Sequence, residues 1–308
     1  MQRIVLKVST FVLGLVVLFG SCSKSNNSAA PATDLSSQTY VAQDLTNFSS
    51  ACNQVAEEAD EVASDTGSVV KGTTFDSLGN GVYALAYSGL SGSGKIRKGT
   101  DSLFVHGTWG TKGSYIVSKF NYTIINSNTV GDTMRLDGID TIMNVEGGNF
   151  VSLISGEVTS LTTYHYGTAT ITFSNGQSSV WHYNKKNIRK LSGSQALGTE
   201  FVNSTITGLN NSLYPGVEVW GINRNGEQFY AEIASYDPLS YSYNSSSFCT
   251  HGWPYSGIYF HRGILSGLQV TYGVTGTGVI LQDVVCPYAY LLNWTYLSTN
   301  EQQAIAYF

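Results

Sequence analysis

The sequence predicts a mainly β protein, an antiparallel sheet or sandwich-like domain with one N-terminal α-helix. Three observations carry this prediction. From about Val69 onward, apolar and polar residues alternate with a period of two, as in strands that have one buried face. The pairs Asn175-Gly176 and Asn225-Gly226 separate such runs and are typical of tight hairpin turns. Only Val41–Val62 has the period of an amphipathic helix.

The composition excludes several classes of protein. The 308 residues include 33 Gly and 20 Tyr, and only 12% are charged, against about 25% in an average globular domain. With 16 basic and 21 acidic side chains the formal net charge is −5. No basic stripe is available to neutralise nucleic-acid phosphates, so we expect no nucleic-acid partner. A hydrophobic fraction of 42% can build a core and argues against wholesale disorder.

The first residues have the form of a lipoprotein signal peptide, residues 1–21. Two basic residues precede the apolar stretch Val8–Phe19, which is too short to span a bilayer comfortably. Small residues then lead to Cys22, whose thiol we expect to carry the lipid anchor. The alternative is an ordinary cleaved signal followed by an incidental Cys. Residues 22–40 are small and polar, which predicts a flexible tether. No later apolar run is long enough for a transmembrane helix.

One amphipathic helix is predicted over residues 41–66. Its apolar stripe consists of Val41, Leu45, Phe48, Cys52, Val55, Ala59 and Val62. The steps of three and four residues place them on one face. Acidic residues crowd the C-terminal half, where the helix dipole disfavours them; they are Glu57, Glu58, Asp60 and Glu61. The helix therefore needs its apolar face covered. We expect it to dock on the chain's own sheet, and a coiled-coil dimer is the alternative.

Residues 67–308 are predicted to form the antiparallel β domain. One continuous domain is preferred, because no change in composition divides it. Two packed units with a seam near residues 197–213 are the alternative. The segment Ser298–Glu301 has the form of a capping box, which favours a short last helix.

The cysteines suggest one structural bond. Cys249 and Cys286 would lie in an oxidising compartment, and we expect a disulfide between them. Cys52 is expected to be a buried free thiol on the helix; its pairing with one of the other two is the alternative. Cys249 and Cys286, together with His251 and His261, offer thiols and imidazoles as ligands for a metal ion. Their spacing matches no zinc pattern, so we predict no metal and no cofactor.

The sequence contains no constellation that indicates an enzyme. Glu218 and Glu232 lie on facing strands of a predicted hairpin, and paired carboxylates would suit a glycoside hydrolase. A solvated outer face explains them equally well, and no nucleophile elbow accompanies any serine. We therefore predict a non-enzymatic protein.

Aromatic side chains give the candidate ligand site. The residues selected are Trp109, Trp220, Trp253 and Tyr255. Trp220 should face away from its buried neighbours on the strand, and Trp253 lies in a predicted loop. Exposed rings of this kind can stack on sugar rings. The alternative is that they pack in the core or across strands, as aromatic residues on sheets usually do.

Short segments in a fixed order carry a resemblance to a known group. After the acidic helix come Gly94–Gly99, Gly113–Tyr115, Phe120–Tyr122, Ile171–Trp181, Gly221–Gly226, Cys249, Ser256–Gly257, Tyr272–Gly273 and Cys286–Ala289. This order resembles a group of uncharacterised Bacteroidota lipoproteins with a short N-terminal helix and a long antiparallel sheet. The resemblance implies location and fold, and it implies no activity.

The prediction for function is a lipid-anchored cell-envelope protein with a structural or interaction role. It would meet an envelope protein through its sheet edges or its helix. Glycan binding through exposed Trp and Tyr is the alternative. The anchor is expected in the outer membrane. Surface-exported lipoproteins of this group often carry acidic residues just after the lipidated Cys, and none occurs in Ser23–Asn27. A periplasm-facing position is therefore favoured over the cell surface.

Overall fold

The computed structural model describes most of the chain after the N-terminal segment. The described residues are 35–64, 73–89, 95–125, 133–192, 201–209, 216–243, 254–263, 267–280, 289–296 and 299–306. They contain helices α1 (Leu35–Ala63) and α2 (Phe150–Ile154). The strands are β1 (Thr73–Gly79), β2 (Val82–Tyr87), β3 (Ile96–His106), β4 (Tyr115–Ile125), β5 (Thr133–Asn144), β6 (Leu161–Phe173), β7 (Ser178–Ser192), β8 (Phe201–Gly208), β9 (Val217–Ile222), β10 (Gln228–Ile233), β11 (Leu239–Tyr243), β12 (Gly257–Gly263), β13 (Gly267–Val274), β14 (Ala289–Tyr296) and β15 (Thr299–Ala306).

The strands of the described residues form one antiparallel sheet, and the predicted mainly β class with one N-terminal helix is confirmed. Neighbours follow chain order from β1 to β7. The path then runs through β9, β10, β12, β13 and β14 to β15, while β8 and β11 branch from β7. The described part of the candidate seam at 197–213 is mainly β8, which pairs with β7 like any other neighbour.

Both Asn-Gly pairs are hairpin turns, as predicted, but the turns are longer than two residues. Phe173 and Gln177 close the first loop through a backbone hydrogen bond of 2.9 Å. Only the glycine adopts a left-handed backbone there, with φ of 82° at Gly176. This is the three-residue hairpin, in which a residue in the left-handed region follows the turn.

Two elements differ from the sequence predictions, one in its bounds and one in its type. Helix α1 begins at Leu35 instead of residue 41, inside the predicted tether, and it ends at Ala63. Within this added turn, Thr39 donates a hydrogen bond to Gln303 of β15. The predicted last helix is wrong, because Thr299–Ala306 is a strand whose residues pair with β14 along its length. A ladder of backbone hydrogen bonds outweighs a local capping signal. No helix in the described ranges has the length and apolar character needed to cross a membrane.

Helix α1 is buried over most of its surface, although Tyr40 is exposed and Glu57 and Glu61 are half-buried. The predicted apolar stripe is buried as expected. The other faces are buried too, and they carry Asp44, Asn47, Asn53, Glu58 and Asp60. Contacts reach from Thr73 of β1, which bonds Glu58, to Gln303 of β15. The sheet therefore curls around the helix, and the helix takes the place that a second sheet has in a sandwich. Neither a coiled-coil dimer nor a partner-binding helix fits this burial.

Glycines on the inner face allow the sheet to curve closely around α1. Gly167 lies opposite Tyr183, and Gly221 lies opposite Trp181. A Cβ at Gly167 would come within 2.5 Å of the Tyr183 ring, so no larger residue fits without a shift. The two aromatic rings pack edge-on against Phe48 of the helix, with ring centroids 5.5 and 5.1 Å away. Glycine kinks with aromatic cross-strand partners are an established source of sheet curvature.

The C-terminal half of α1 is held by an ion pair between Glu58 and Arg97 of β3. The Glu58 carboxylate also accepts hydrogen bonds from Tyr87 at 3.0 Å and Thr73 at 3.3 Å. The Arg97 guanidinium lies 4.2 Å from the centre of the Tyr87 ring. Both charges are almost fully buried. A buried charge without its partner is strongly destabilising, so each side chain depends on the other.

We predict that Arg97→Met lowers the free energy of unfolding by about 3–5 kcal/mol, because it leaves the Glu58 carboxylate buried without its cation. Urea unfolding measures the change. Arg262→Met is the matched control, since the Arg262–Glu232 pair on the outer face is 48% and 31% exposed and should contribute less than about 1 kcal/mol. Equal losses in the two variants would contradict the role given to Glu58 and Arg97.

Candidate functional site

The most concentrated cluster of ionisable groups lies in the interior, around the middle of α1. Lys185 of β7 forms an ion pair with Glu218 of β9, with 3.2 Å between Nζ and Oε1. Its ammonium also donates to Asn53 of α1 at 2.6 Å. Glu218 accepts hydrogen bonds from Ser49 of α1 at 3.1 Å and from Tyr259 of β12 at 2.5 Å. Four elements therefore meet at one carboxylate.

A β-bulge directs Glu218 inward. Ala231 pairs with Val219, but Glu232 pairs with Val217, so Glu218 is an extra residue in β9. An extra residue of this kind is able to re-aim a side chain. The expectation that Glu218 and Glu232 share a solvated outer face is wrong. Glu218 is buried, while Glu232 lies outside and bonds Arg262 at 3.2 Å.

Asp140 of β5 and His165 of β6 extend this cluster. Their closest atoms, Oδ2 and Nδ1, are 4.0 Å apart. Burial raises the pKa of Asp140 to about 7, although the Lys185 charge and the Tyr183 hydroxyl act in the opposite direction. Burial lowers the pKa of His165 well below its ordinary value, with Lys185 and Arg189 adding to the effect. The imidazole is therefore neutral at physiological pH.

The interior cluster is sealed from solvent. Lys185, Glu218, Asp140 and His165 are each 0% exposed. Perturbed pKa values often mark active sites, but buried structural networks produce them as well. A substrate has to reach the side chains that act as catalytic acid and base. The four side chains of this cluster contact the helix and the strands and are closed off from any substrate. We therefore assign the cluster to holding α1 in the sheet.

The outer face of the sheet carries a row of polar and aromatic side chains. In register across adjacent strands lie Thr168, His182, Trp220, Tyr230 and Arg262. The rings of His182 and Trp220 stack, with centroids 5.5 Å apart and an angle of 22°. A hydrogen bond of 3.0 Å joins Thr168 and the Nδ1 atom of His182. Adjacent strands are about 4.8 Å apart, so three neighbouring positions span roughly 10 Å.

A cleft of about 470 Å³ lies where β12 and β14 end and β13 and β15 begin. Ligand pockets in proteins commonly measure about 300–1,000 Å³. Its walls include four carboxamides and two aromatic rings. These are Gln269, Asn293, Asn300, Gln302, Phe260 and Trp294. Arg262 and Glu301 supply one charge of each sign.

His261 of β12 borders the cleft, but it is in register with Leu268 and Trp294, on the opposite face of the strands from Gln269 and Asn293. Its ring stacks on Phe229 of β10, with centroids 4.8 Å apart and an angle of 13°. The side chain is buried in the interior, with 1% of its surface exposed. Burial lowers its pKa to about 4, so the imidazole is neutral at physiological pH.

The structure does not bring the selected aromatic residues together. Trp109 is 8% exposed, and its indole nitrogen donates to Asp60 of α1 at 2.6 Å. It therefore offers no face for stacking on a sugar. Trp220 is half-buried on the outer face, as expected from the alternation of β9. Tyr255 is half-buried, and its backbone amide donates to Ser240 at 2.8 Å. Trp253 lies outside the described residues.

The cysteine predictions have different outcomes. Cys52 is a buried free thiol on α1, as predicted, and burial raises its pKa far above the ordinary value. Its pairing with another cysteine is therefore wrong. Cys22, Cys249 and Cys286 lie outside the described residues, so the lipid anchor and the disulfide stay predictions. Within the described ranges, no group of three or more His, Cys, Asp or Glu side chains is placed to hold a metal.

Sequence reasoning missed the cleft. Of the residues around it, the sequence singles out only His261, as one of four side chains considered for a metal. The proximity of His261 and Trp294 depends on the pairing of His261 with Leu268 and of Leu268 with Trp294. The carboxamides of Gln269, which follows Leu268, and of Asn293, which precedes Trp294, are visible in the sequence. Only the strand register shows that these two residues lie side by side, so the sequence alone does not point to the cleft.

The fold and these surfaces define a β protein that encloses a polar helix and presents, among the described residues, a row of polar and aromatic side chains on its outer face and a cleft. Compared with protein-family models, curated proteins and solved structures, the chain matches none of them. The resemblance to Bacteroidota lipoproteins therefore stays a prediction.

The raised pKa of Asp140 predicts a pH dependence. Between its ordinary value of 3.8 and about 7, the folded carboxyl keeps its proton while the unfolded one releases it. Its contribution to stability is full below the lower value and is lost as the pH rises through the upper one. Asp140→Asn removes this loss. We expect its unfolding free energy, relative to the wild type, to rise by more than about 1 kcal/mol between pH 5 and pH 8.

Urea unfolding at several pH values measures this difference. Asp137→Asn is the matched control, because Asp137 lies on the same strand but is exposed. Its difference from the wild type should stay constant over the same pH range. Parallel curves for Asp140→Asn and the wild type would show that Asp140 is ionised in the folded protein throughout.

Proposed function

We propose that the protein is a lipid-anchored component of the cell envelope with a structural or interaction role and no catalytic activity. One observation carries the proposal: the dense cluster of ionisable side chains is sealed between α1 and the sheet. Asp140, His165, Lys185 and Glu218 are buried and contact one another or α1. The groups best suited to acid–base chemistry are thus engaged in the fold, which leaves the outer surface for function.

The anchor follows from the sequence of the N-terminal segment. A basic start, an apolar stretch and small residues before Cys22 are typical of a lipoprotein signal. Several acyl chains on one Cys hold a protein firmly, because a single chain already gives measurable membrane affinity. The buried helix is not available to a partner, so interaction would use the outer face or the edge strands β1 and β15, each paired with one described strand.

We predict that Cys22→Ser moves the protein from the membrane fraction to the soluble fraction and abolishes labelling by radioactive palmitate. The expected cause is loss of the thiol that accepts the lipid. Cys52→Ser is the control and should keep the label. In the wild type, protease added to intact cells should leave the protein whole if it faces the periplasm. A wild-type protein without label in the soluble fraction would contradict the anchor, and its removal by protease would contradict the orientation.

Glycan binding is the second candidate, and the stacked pair of Trp220 and His182 favours it. The pair lies on the outer face beside Tyr230, and Trp220 is held by a ring contact instead of being buried in the core. A planar, partly exposed ring that is fixed in place loses little entropy when a sugar stacks on it. This proposed site consists of Trp220, His182 and Tyr230 and does not include Trp253 or Tyr255.

We predict that Trp220→Ala lowers glycan binding by at least about tenfold, which corresponds to roughly 1.4 kcal/mol of lost stacking energy. A glycan array probed with the full chain, in a detergent without a sugar head group, measures the effect. Tyr115→Ala is the matched control, because Tyr115 also stacks on a histidine, His106, with centroids 4.5 Å apart. Equal binding by the wild type and both variants, or no binding at all, would remove this row as a glycan site.

A further inference from the structure

The outer face of the sheet is basic over β3 to β7, although the chain as a whole is acidic. Five basic side chains lie on the outer face of these fully described strands, and they form what we call the basic face: Lys98, Lys119, Arg135, Lys186 and Lys190. The one acid beside them on this face is Asp137. We propose that the basic face binds a linear glycan that carries carboxylate or sulfate groups. The inference rests on the glycan-binding candidate above and names the chemical class of its ligand.

The strand register places the basic face and Trp220 on the same surface. Lys98 of β3 and Arg135 of β5 both lie opposite Thr123 of β4. Lys119 lies four residues before Thr123 on β4, and an even interval along a strand keeps side chains on one face. The row of paired residues that contains Lys119 continues across β5, β6 and β7 to Trp220 of β9. A ligand bound at Trp220 can therefore extend over the basic face.

Two pairs of adjacent basic residues on β7 divide between the interior and the outer face. Lys185 and Arg189 are buried and form ion pairs with acids of the interior. Lys186 and Lys190 come directly after them, so their side chains lie on the opposite face. His182 lies four residues before Lys186 and shares its face. Half of the positive charge of β7 thus neutralises the interior, and the other half belongs to the basic face.

Most of the charge on the basic face is uncompensated. Within the described ranges, none of its four lysines forms an ion pair. Arg135 donates to Asn121 at 3.3 Å, and Asn121 donates to Asp137 at 3.3 Å. The formal charge of −5 does not reveal this surface, in part because the interior buries six acidic but four basic side chains of the described residues. Cations on one face repel each other, and an anionic ligand reduces that repulsion.

Neutral side chains between the cations suit the hydroxyl groups of a sugar. Hydroxyl and carboxamide groups both donate and accept hydrogen bonds, and several lie on the outer face here: Thr100, Ser102, Asn121, Thr141, Thr168, Thr170 and Asn184. The Tyr166 ring on the same face is 43% exposed. Together with the stacked pair of Trp220 and His182, it offers apolar surface to sugar rings. This combination of cations, hydroxyls and rings favours an anionic glycan over an acidic peptide.

The separation of these groups requires a ligand of several sugar units. Lys119 and Trp220 are four strand spacings apart in one row, which corresponds to roughly 19 Å at about 4.8 Å per spacing. A single sugar ring is much shorter than this distance. A linear glycan that crosses the strands can place a ring on Trp220 and its anionic groups beside the lysines. We therefore expect affinity to rise with chain length.

Calorimetry on the full chain, in a non-ionic detergent without a sugar head group, tests the proposal. The probes are hexagalacturonate, its dimer, its fully methyl-esterified form and a chondroitin sulfate hexasaccharide, with polyglutamate as an anionic polymer without sugars. We expect at least one anionic hexasaccharide to bind at least about tenfold more tightly than the dimer and the esterified form. Its affinity should fall several-fold from about 50 to about 200 mM salt, because added ions screen the lysines.

Lys119→Glu reverses one charge of the basic face at an exposed position and should weaken anionic binding at least about fivefold. Lys112→Glu is the matched control, because Lys112 is equally exposed but lies in the turn between β3 and β4. It should bind like the wild type. Lys98→Glu gives a second test if Lys119→Glu alters the fold by circular dichroism, since Lys119 also lies 5.0 Å from the centre of the Phe104 ring.

Several outcomes would overturn the proposal. One is that the esterified glycan binds as tightly as hexagalacturonate, or that Lys119→Glu and Lys98→Glu bind as well as Lys112→Glu. Another is that polyglutamate binds as tightly as the glycans, which would point to an acidic peptide. If no anionic probe binds but the array shows a neutral glycan that Trp220→Ala loses, the basic face fails while the glycan-binding candidate stands. No binding in either experiment would remove both.

Discussion

The structure depends on the compensation of charge between a polar helix and the sheet around it. Three acids of α1 meet arginines from different parts of the sheet. Asp44 bonds Arg224 in the β9–β10 turn, Glu58 bonds Arg97 of β3, and Asp60 bonds Arg189 of β7 at 2.7 Å. Each charge alone would be expensive to bury, and the opposite charge of its partner offsets part of that cost. The helix can lie inside the sheet only if these strands hold their arginines in place, so the two parts specify each other.

This constraint has a consequence for folding. The partners of α1 are far away in sequence, with 180 residues between Asp44 and Arg224 and 264 between Thr39 and Gln303. A helix with acids on several faces gains little from burial before those partners arrive. Long-range pairing of this kind makes folding slow, because loop closure has to precede the stabilising contacts. We infer that α1 and the flanking strands become stable together, and that the neighbouring hairpins, which are local, form first.

The sequence predicts the features that depend on nearby residues, and it does not predict the features that depend on strands far away along the chain. The period of two from Val69 onward, the Asn-Gly turns and the free thiol of Cys52 follow from nearby residues, and the structure confirms them; Ala169, Ile171 and Phe173 of β6, for example, are all buried. The burial of Glu58 and Asp60 depends on strands that the pattern does not identify as neighbours. Glu218 points inward because of a bulge, which shifts the alternation by one residue. The cleft depends on register across four strands, and a period of two fixes faces but not registers.

The core and the cleft are connected by one series of packed rings. Phe48 of α1 packs against Trp181, with centroids 5.1 Å apart; Trp181 packs against Phe229 at 4.8 Å, and Phe229 against His261 at 4.8 Å. The His261 imidazole is therefore supported from the centre of the molecule. The charged interior thus orders this series of rings indirectly: it holds α1 in place, Phe48 of α1 packs against Trp181, and Trp181 and Phe229 hold the His261 ring.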